Sequence, residues 1–331
     1  MNTQFVKEIV KTVCTGVNRH RKGDKKDILI LSSARSGSTW LMQILYTQPG
    51  IKYINEPLYK NILDYHALLP LKTHWNYLSL APFEEEVFME YFSEDNKTRR
   101  FGPRNMFAGD YNFRTNRRVF KVIRANALIE WFAKELDFEI VYLIRHPIAQ
   151  SLSCIERGHQ CELAEYIEDV RFVEQYLDES LGNFIREILH TGSELTRFAA
   201  EWCLDNLVPL KKSGHEPSWL VLTYEELVLK YEETMGLLCD RLDLNHMERL
   251  FKRKTAPSFT TGRSGAQTWK KIINADSHYL VERWKQHVTE EMEKAVFEIL
   301  DRFHIDAYRQ GSVLPGKRLL HFKYPNGSLH V

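Results

Sequence analysis

The 331-residue chain reads as an α/β protein: a single domain with a central parallel sheet of about five strands flanked by helices. Three observations predict it. Short apolar runs rich in β-branched residues recur along the chain, and longer helix-like stretches separate them. No internal repeat, low-complexity linker or boundary interrupts residues 25–310. Runs that are apolar at consecutive positions suit strands covered on both faces, and parallel sheets are covered on both faces.

Taken in order, residues 1–24 hold four valines and Ile9, interrupted by Lys7, Glu8 and Lys11, then the basic run His20-Arg21-Lys22. That pattern predicts an amphipathic surface helix; a signal peptide needs a continuous apolar stretch. Strands are expected over 28–31, 51–54, 119–123, 140–144 and 219–222, the second after the turn signal Gln48-Pro49-Gly50. Helices are expected from the first loop through Leu45, over 128–136, over 226–242 and over 277–303. Two or three more should lie within 161–210, broken near Gly182 and Gly192. Glu84-Glu85-Glu86 after Pro82 predicts an exposed first helical turn. Residues 311–331, with Pro315, Gly316, Pro325 and Gly327, predict an irregular tail.

Composition narrows the function. With 44% hydrophobic and 12% aromatic residues the chain can bury a sizeable core, which excludes a disordered protein. Lysine and arginine number 45 against 44 acidic residues, so no basic excess points to nucleic acid or an anionic membrane. Any anion site must be built locally. No run approaches the ~20 apolar residues of a membrane span. Five cysteines without a CxxC pair argue against a disulfide framework or zinc ribbon and for thiols in a reducing, cytoplasmic compartment.

The first strand runs into Ser32-Ser33-Ala34-Arg35-Ser36-Gly37-Ser38-Thr39-Trp40, which opens a helix. Strand, small-residue turn and helix aim several backbone N–H groups at one anion. Arg35 adds a cationic fork, and Ser36, Ser38 and Thr39 add hydroxyls. Serine-rich turns also cap helices, but capping does not call for the arginine and glycine. The Gly-x-x-x-x-Gly-Lys-Ser/Thr signature of ATP-binding loops is absent, so a kinase or other phosphotransferase is the weaker alternative. A second site lies at 140–153: a strand ends in Arg145, Pro147 starts the next helix, and Ser153 follows eight residues after Arg145. An arginine at a strand end and a serine in the following helix can converge on one phosphate; the plainer reading is a helix cap.

Together the two motifs resemble the 5′-phosphosulfate loop and the 3′-phosphate motif of sulfotransferases that use 3′-phosphoadenylyl sulfate (PAPS). The Arg-Ser-Gly-Ser-Thr loop is most similar to that of bacterial and carbohydrate-type members. Leu222-Thr223-Tyr224-Glu225-Glu226-Leu227 resembles the family's Tyr-Glu-Asp-Leu segment, and Arg263-Ser264-Gly265 with Trp269-Lys270 resembles its late cofactor-covering loop. There Ser264 replaces a lysine, and the spacing to the tryptophan is one residue shorter.

The resemblance implies a P-loop NTPase-like fold, PAPS as co-substrate and 3′,5′-adenosine bisphosphate (PAP) as product. It implies that Arg35, Ser36, Gly37, Ser38 and Thr39 hold the 5′-phosphosulfate, and that Arg145, Ser153 and Arg263 hold the 3′-phosphate. Trp40 and Tyr224 would lie at the adenine, with Ser264 and Gly265 covering the cofactor.

Sulfuryl transfer is in-line and loose, so the protein positions reactants and stabilises charge without need of a metal. Arg35 would stabilise the leaving oxygen, since an arginine does not give up its proton. Lys121 is expected near the sulfuryl oxygens. The cytosolic branch carries a histidine after this strand, whereas 119–126 contains none. Glu56, at a strand end before Pro57, is the expected base; the plainer reading is an ion pair or cap. His66 and His74 are the spare candidates.

The aromatic-rich segment 58–112 is expected to shape the pocket for a small-molecule or glycan acceptor, sulfated on a hydroxyl or, second, an amine. A non-catalytic PAP-binding module is the remaining alternative.

Overall fold

In the computed structural model the described residues are 19–58, 76–93, 112–212, 219–258, 266–274 and 276–316. The strands are β1 (Arg19–His20), β2 (Asp27–Ser32), β3 (Ile51–Asn55), β4 (Arg114–Thr115), β5 (Arg117–Ile123), β6 (Phe138–Ile144) and β7 (Trp219–Thr223). All five expected strands join one parallel sheet in the order β3-β5-β2-β6-β7.

Its strands are buried on both faces, and side-chain alternation sorts them into two cores. Leu29, Leu31, Phe120, Val122, Tyr142 and Val221 point to one face; Ile28, Ile30, Val119, Val141, Leu143 and Leu222 point to the other. Each such residue withdrawn from water contributes roughly 1.5–3 kcal/mol before entropy is counted. This is why the strands read as continuous apolar runs.

The helices are α1 (Ser38–Tyr46), α2 (Pro82–Ser93), α3 (Ile129–Glu135), α4 (Pro147–Ile155), α5 (Leu163–Glu168), α6 (Val170–Tyr176), α7 (Glu179–Thr191) and α8 (Glu194–Lys212). They continue with α9 (Tyr224–Leu229), α10 (Tyr231–Leu242), α11 (Met247–Phe251), α12 (Ala266–Ile273), α13 (Ser277–Glu282) and α14 (Glu290–Arg302). Ile148 of α4, Trp202 and Leu207 of α8 and Leu300 of α14 pack in the first core. Leu41 and Leu45 of α1 and Met235 and Leu238 of α10 pack in the second.

Several expectations are corrected. Four helices, not two or three, occupy 161–210, and Gly182 lies inside α7. The break falls earlier, where the Asp178 side chain accepts from Leu181 N at 2.8 Å; an aspartate cap starts a helix, whereas one glycine costs only about 1 kcal/mol inside it. Gly192 does end α7. Residues 226–242 divide at Lys230 into α9 and α10, and 277–303 divide before the Thr289 cap of α14. Glu84 is buried, not exposed: its carboxylate accepts from Ala81 N at 2.8 Å and caps α2. Within the stretch expected to be helical at the N-terminus, Arg19–His20 instead pairs in parallel with Arg114–Thr115. Arg21 N and Gly23 N donate to the carbonyls of Thr115 and Asn116 at 2.9 and 2.8 Å, so a neighbouring strand satisfies this backbone. Residues 1–18 and 317–331 lie outside the described residues; 311–316 is irregular, as expected.

Register decides where the chemistry gathers. Ser32 lies opposite Ile123 and Leu143, Asn55 opposite Lys121, and Ile144 opposite Thr223. The carboxyl ends of all five strands therefore share one edge, and the residues that follow them are Ser33, Glu56, Arg124, Arg145 and Tyr224. Ligands of open α/β sheets bind at that edge, where the strand order reverses direction.

Candidate active site

The loop between β2 and α1 is shaped by two left-handed residues, Arg35 at φ 64° and Gly37 at φ 96°. Gly37 is also pressed against Tyr224: a Cβ there would stand 2.6 Å from the ring's Cδ2. No side chain caps α1, and while Trp40 N donates to Gly37 O at 2.9 Å, the N–H groups of Ser38 and Thr39 before it are available to an anion. Ser36 departs from the expected role, because its hydroxyl donates to Ser33 O at 2.9 Å and braces the turn. Ser38 and Thr39 line the cleft.

Arg35 is the hub. Its Nε donates to Ser153 Oγ at 3.2 Å, and its carbonyl accepts from Arg145 at 2.9 Å. Burial, then the positive charges of Arg157 and Arg145, pull the Arg35 pKa down, although a guanidinium keeps its proton. Arg145 is held from behind, since Trp202 Nε1 donates to its carbonyl at 3.0 Å. The next residue, His146, stacks on Trp284 with ring centroids 4.5 Å apart, and burial pushes its pKa down to about 3. His146 is thus a neutral packing residue. Its N–H donates to Glu225, whose other oxygen accepts from the Tyr308 hydroxyl at 2.8 Å.

Opposite the loop, Lys121 reaches up from β5 and pairs with Glu56, while Glu56 N donates to Lys121 O at 2.7 Å. The Lys121 side chain is 4% exposed and that of Glu56 is 25% exposed. Burial lowers the Lys121 pKa, Glu56 opposes that, and Arg35 adds to it. Glu56 and Arg124 both have left-handed backbone, at φ 49° and 71°. Among the described residues, three of the five non-glycine residues with positive φ, Arg35 being the third, therefore line this cleft.

The loop, Lys121 and Glu56 enclose a cavity of about 880 Å³. Its further wall is the ion pair of Arg124 with Glu162. Asn76 ties the next segment to that wall through Glu162 and Glu165 at 3.0 and 2.9 Å, and Tyr77 N donates to Arg124 O at 2.7 Å. Behind it, Glu162 N donates to Glu201 at 2.8 Å, and burial beside Asp205 pushes the Glu201 carboxyl up to about 8.

Two anion motifs thus meet at one arginine on a strand-end cleft without an ATP-type lysine. A family description, "Sulfotransferase domain", matches residues 25–306. The chain belongs to the sulfotransferase family. Among solved structures it is similar to the sulfotransferase domain from the curacin biosynthetic pathway, at 18% identity and TM-score 0.48 over 86% of this chain and 99% of that one. It is also similar to the sulfotransferase domain from the Synechococcus PCC 7002 olefin synthase, at 19% and 0.44 over 87% and 99%. A third is mouse sulfotransferase SULT7A1 complexed with PAP, at 12% and 0.44 over 96% and 94%. Comparison with curated protein sequences finds no match.

This sulfotransferase brings Arg35, Gly37, Ser38, Thr39, Trp40, Glu56, Lys121, Arg145, Ser153 and Tyr224 to one cleft. Trp40 is anchored there, its Nε1–H donating to Arg253 O at 3.2 Å. Arg263, Ser264 and Gly265 lie outside the described residues, as do His66 and His74. Sequence reasoning missed Arg124, Arg157, His159, Glu162, Lys254 and Arg283, all on the cleft wall. Arg124 carried a usable signal, being the first residue after an expected strand; the others carried none. Among the described residues, no group of three His, Cys, Asp or Glu could hold a metal ion, and no helix is long and apolar enough to cross a membrane.

Proposed function

We propose that the cleft seats PAPS across both motifs, with its 5′-phosphosulfate on the Arg35 loop and its 3′-phosphate at Arg145 and Ser153. The observation that carries this reading is the convergence of Ser153 and Arg145 on Arg35. The residues suit an anionic ligand: Arg145 Nε is buried with no hydrogen-bond partner among the described residues, and the Gly37 turn leaves room only for backbone. PAPS supplies the sulfuryl group. Arg35 would stabilise charge on the leaving oxygen, and Lys121 would contact the sulfuryl oxygens with Glu56 as its counter-ion. Glu56 is also the base proposed from the sequence.

The acceptor is proposed to be a hydroxyl, or second an amine, of a small molecule or glycan. The mixed apolar and charged wall of Ile123, Arg124 and Glu162 supports that reading. The working unit is one domain over 25–310, and Cys154, Cys161, Cys203 and Cys239 as free thiols support a cytoplasmic setting.

Isotope-labelled PAPS with a panel of phenols, sugars and lipids, read by product mass, tests the reaction. A sulfated product is expected, and its yield should survive chelation by EDTA. PAP binding without transfer to any acceptor would favour a non-catalytic module. ATP binding with no affinity for PAP would favour a phosphotransferase.

A further inference from the structure

Strand β5 delivers no histidine to the cleft, yet a histidine arrives from another element. His159 follows α4 in a turn closed by two bonds: His159 N to Cys154 O at 3.1 Å and Gly158 N to Ile155 O at 2.9 Å. These are the paired bonds of a Schellman ending, with Gly158 left-handed at φ 64°. A Cβ at Gly158 would meet nothing within 4 Å, so its backbone conformation is the reason for glycine there. The turn folds the chain back and sets His159 on the wall, six residues past Ser153.

Charged groups from four elements face the His159 ring. Burial lowers its pKa most; Arg35 of the loop, Arg124 after β5 and Arg157 of its own turn lower it further, and Glu56 after β3 raises it. Glu162, at the start of α5, lines the same wall. A neutral imidazole with no hydrogen-bond partner among the described residues is a ready proton acceptor. Glu56 is less free, because protonating it would strip a buried ammonium, Lys121, of its counter-ion.

We propose that His159 takes the proton of the acceptor hydroxyl, while Glu56 stays with Lys121 and orients it. This rests on the sulfuryl-transfer reading above. The acceptor oxygen bonds to sulfur as the sulfur–oxygen bond to the 5′-phosphate breaks. That electron pair leaves on PAP beside Arg35, and the proton passes from the ring to solvent. Donor binding arms the base, since its phosphates offset the guanidiniums that disfavour the imidazolium.

Two measurements test this. In the wild-type protein, NMR of the His159 ring should show a titration midpoint that rises when PAP saturates the cleft; a midpoint unmoved by PAP overturns the proposal. Single-turnover transfer by His159→Gln should fall about 10²–10⁴-fold and lose the rise of rate with pH, while PAP affinity stays within about twofold. Glu56→Gln should keep that rise at a lower rate. Transfer by His159→Gln within about threefold of wild type, or loss of the pH rise in Glu56→Gln alone, would return the role to Glu56. A wild-type protein that transfers nothing from PAPS would sink the sulfuryl reading itself, whereas the NMR titration reports on the ring regardless.

Discussion

The Arg145 guanidinium lies over the Tyr224 ring, 4.4 Å from its centroid, so the ends of β6 and β7 meet face to face beneath the phosphate loop. The aromatic face holds the cation in place without neutralising it, which leaves its charge for a ligand.

Tyr224→Leu removes that platform. A cation–π contact contributes about 0.5–2 kcal/mol, so PAP affinity should fall about 2–30-fold. Calorimetry with PAP and AMP checks it: wild type should prefer PAP by roughly tenfold or more, since a charge-assisted hydrogen bond contributes about 1.5–3 kcal/mol. Equal affinity for the two nucleotides would remove Arg145 and Ser153 from the 3′-phosphate role.

Gly37→Ala should damage binding more than folding. The added Cβ meets Tyr224 at 2.6 Å, and a left-handed alanine costs about 1–2 kcal/mol. The loop must shift, and its N–H groups leave their common target. PAP affinity should drop at least tenfold with a modest fall in unfolding temperature. Combining Gly37→Ala with Tyr224→Leu should recover stability but not affinity.

The Lys121–Glu56 pair is asymmetric in its surroundings, and the two substitutions should differ accordingly. Lys121→Met leaves Glu56, a side chain 25% exposed, to be solvated; Glu56→Gln leaves Lys121, at 4%, as a buried unpaired cation. Thermal unfolding should show Glu56→Gln as the less stable variant. Single-turnover kinetics should show Lys121→Met losing about 10²–10³-fold of its transfer rate. The reverse order of stabilities would mean that the pair is open to water.

Glu201 ties stability to pH. Its carboxyl is raised from 4.5 to about 8 by burial and by Asp205, so the native state holds a proton that the unfolded chain has already released. The unfolded state thus binds fewer protons within that window, and stability falls as pH rises through it. The contribution is complete below about 4.5 and gone above about 8. Unfolding temperatures should decline from about pH 5 to about pH 8 and level off above it, and Glu201→Gln should flatten the decline while keeping the bond from Glu162 N. An unchanged slope in that variant would assign the proton elsewhere.

The sheet was legible because each strand is buried on both faces, and a continuous apolar run is the direct imprint of that burial. The helix boundaries were less so. At Asp178 and Thr289 a single capping side chain outweighed the periodicity around it, and Glu84 turned inward to cap although its neighbours Glu85 and Glu86 face solvent.

The phosphate loop, Arg145, Ser153 and Tyr224 follow from sequence alone because their geometry is local: strand, turn and helix set them within a few residues. Arg124 was half-legible, as the first residue after an expected strand; His159, Glu162 and Glu201 could not be read that way. Arg124 reaches the cleft because β5 pairs with β2 in one register, His159 because a Schellman turn folds back after α4, and Glu201 because α8 packs behind the wall. The sequence by itself determined the sheet, the two anion motifs and the family they point to. Which charges face one another across the cleft, and which of them give up their protons, depended on long-range register and burial, which only the tertiary structure decides.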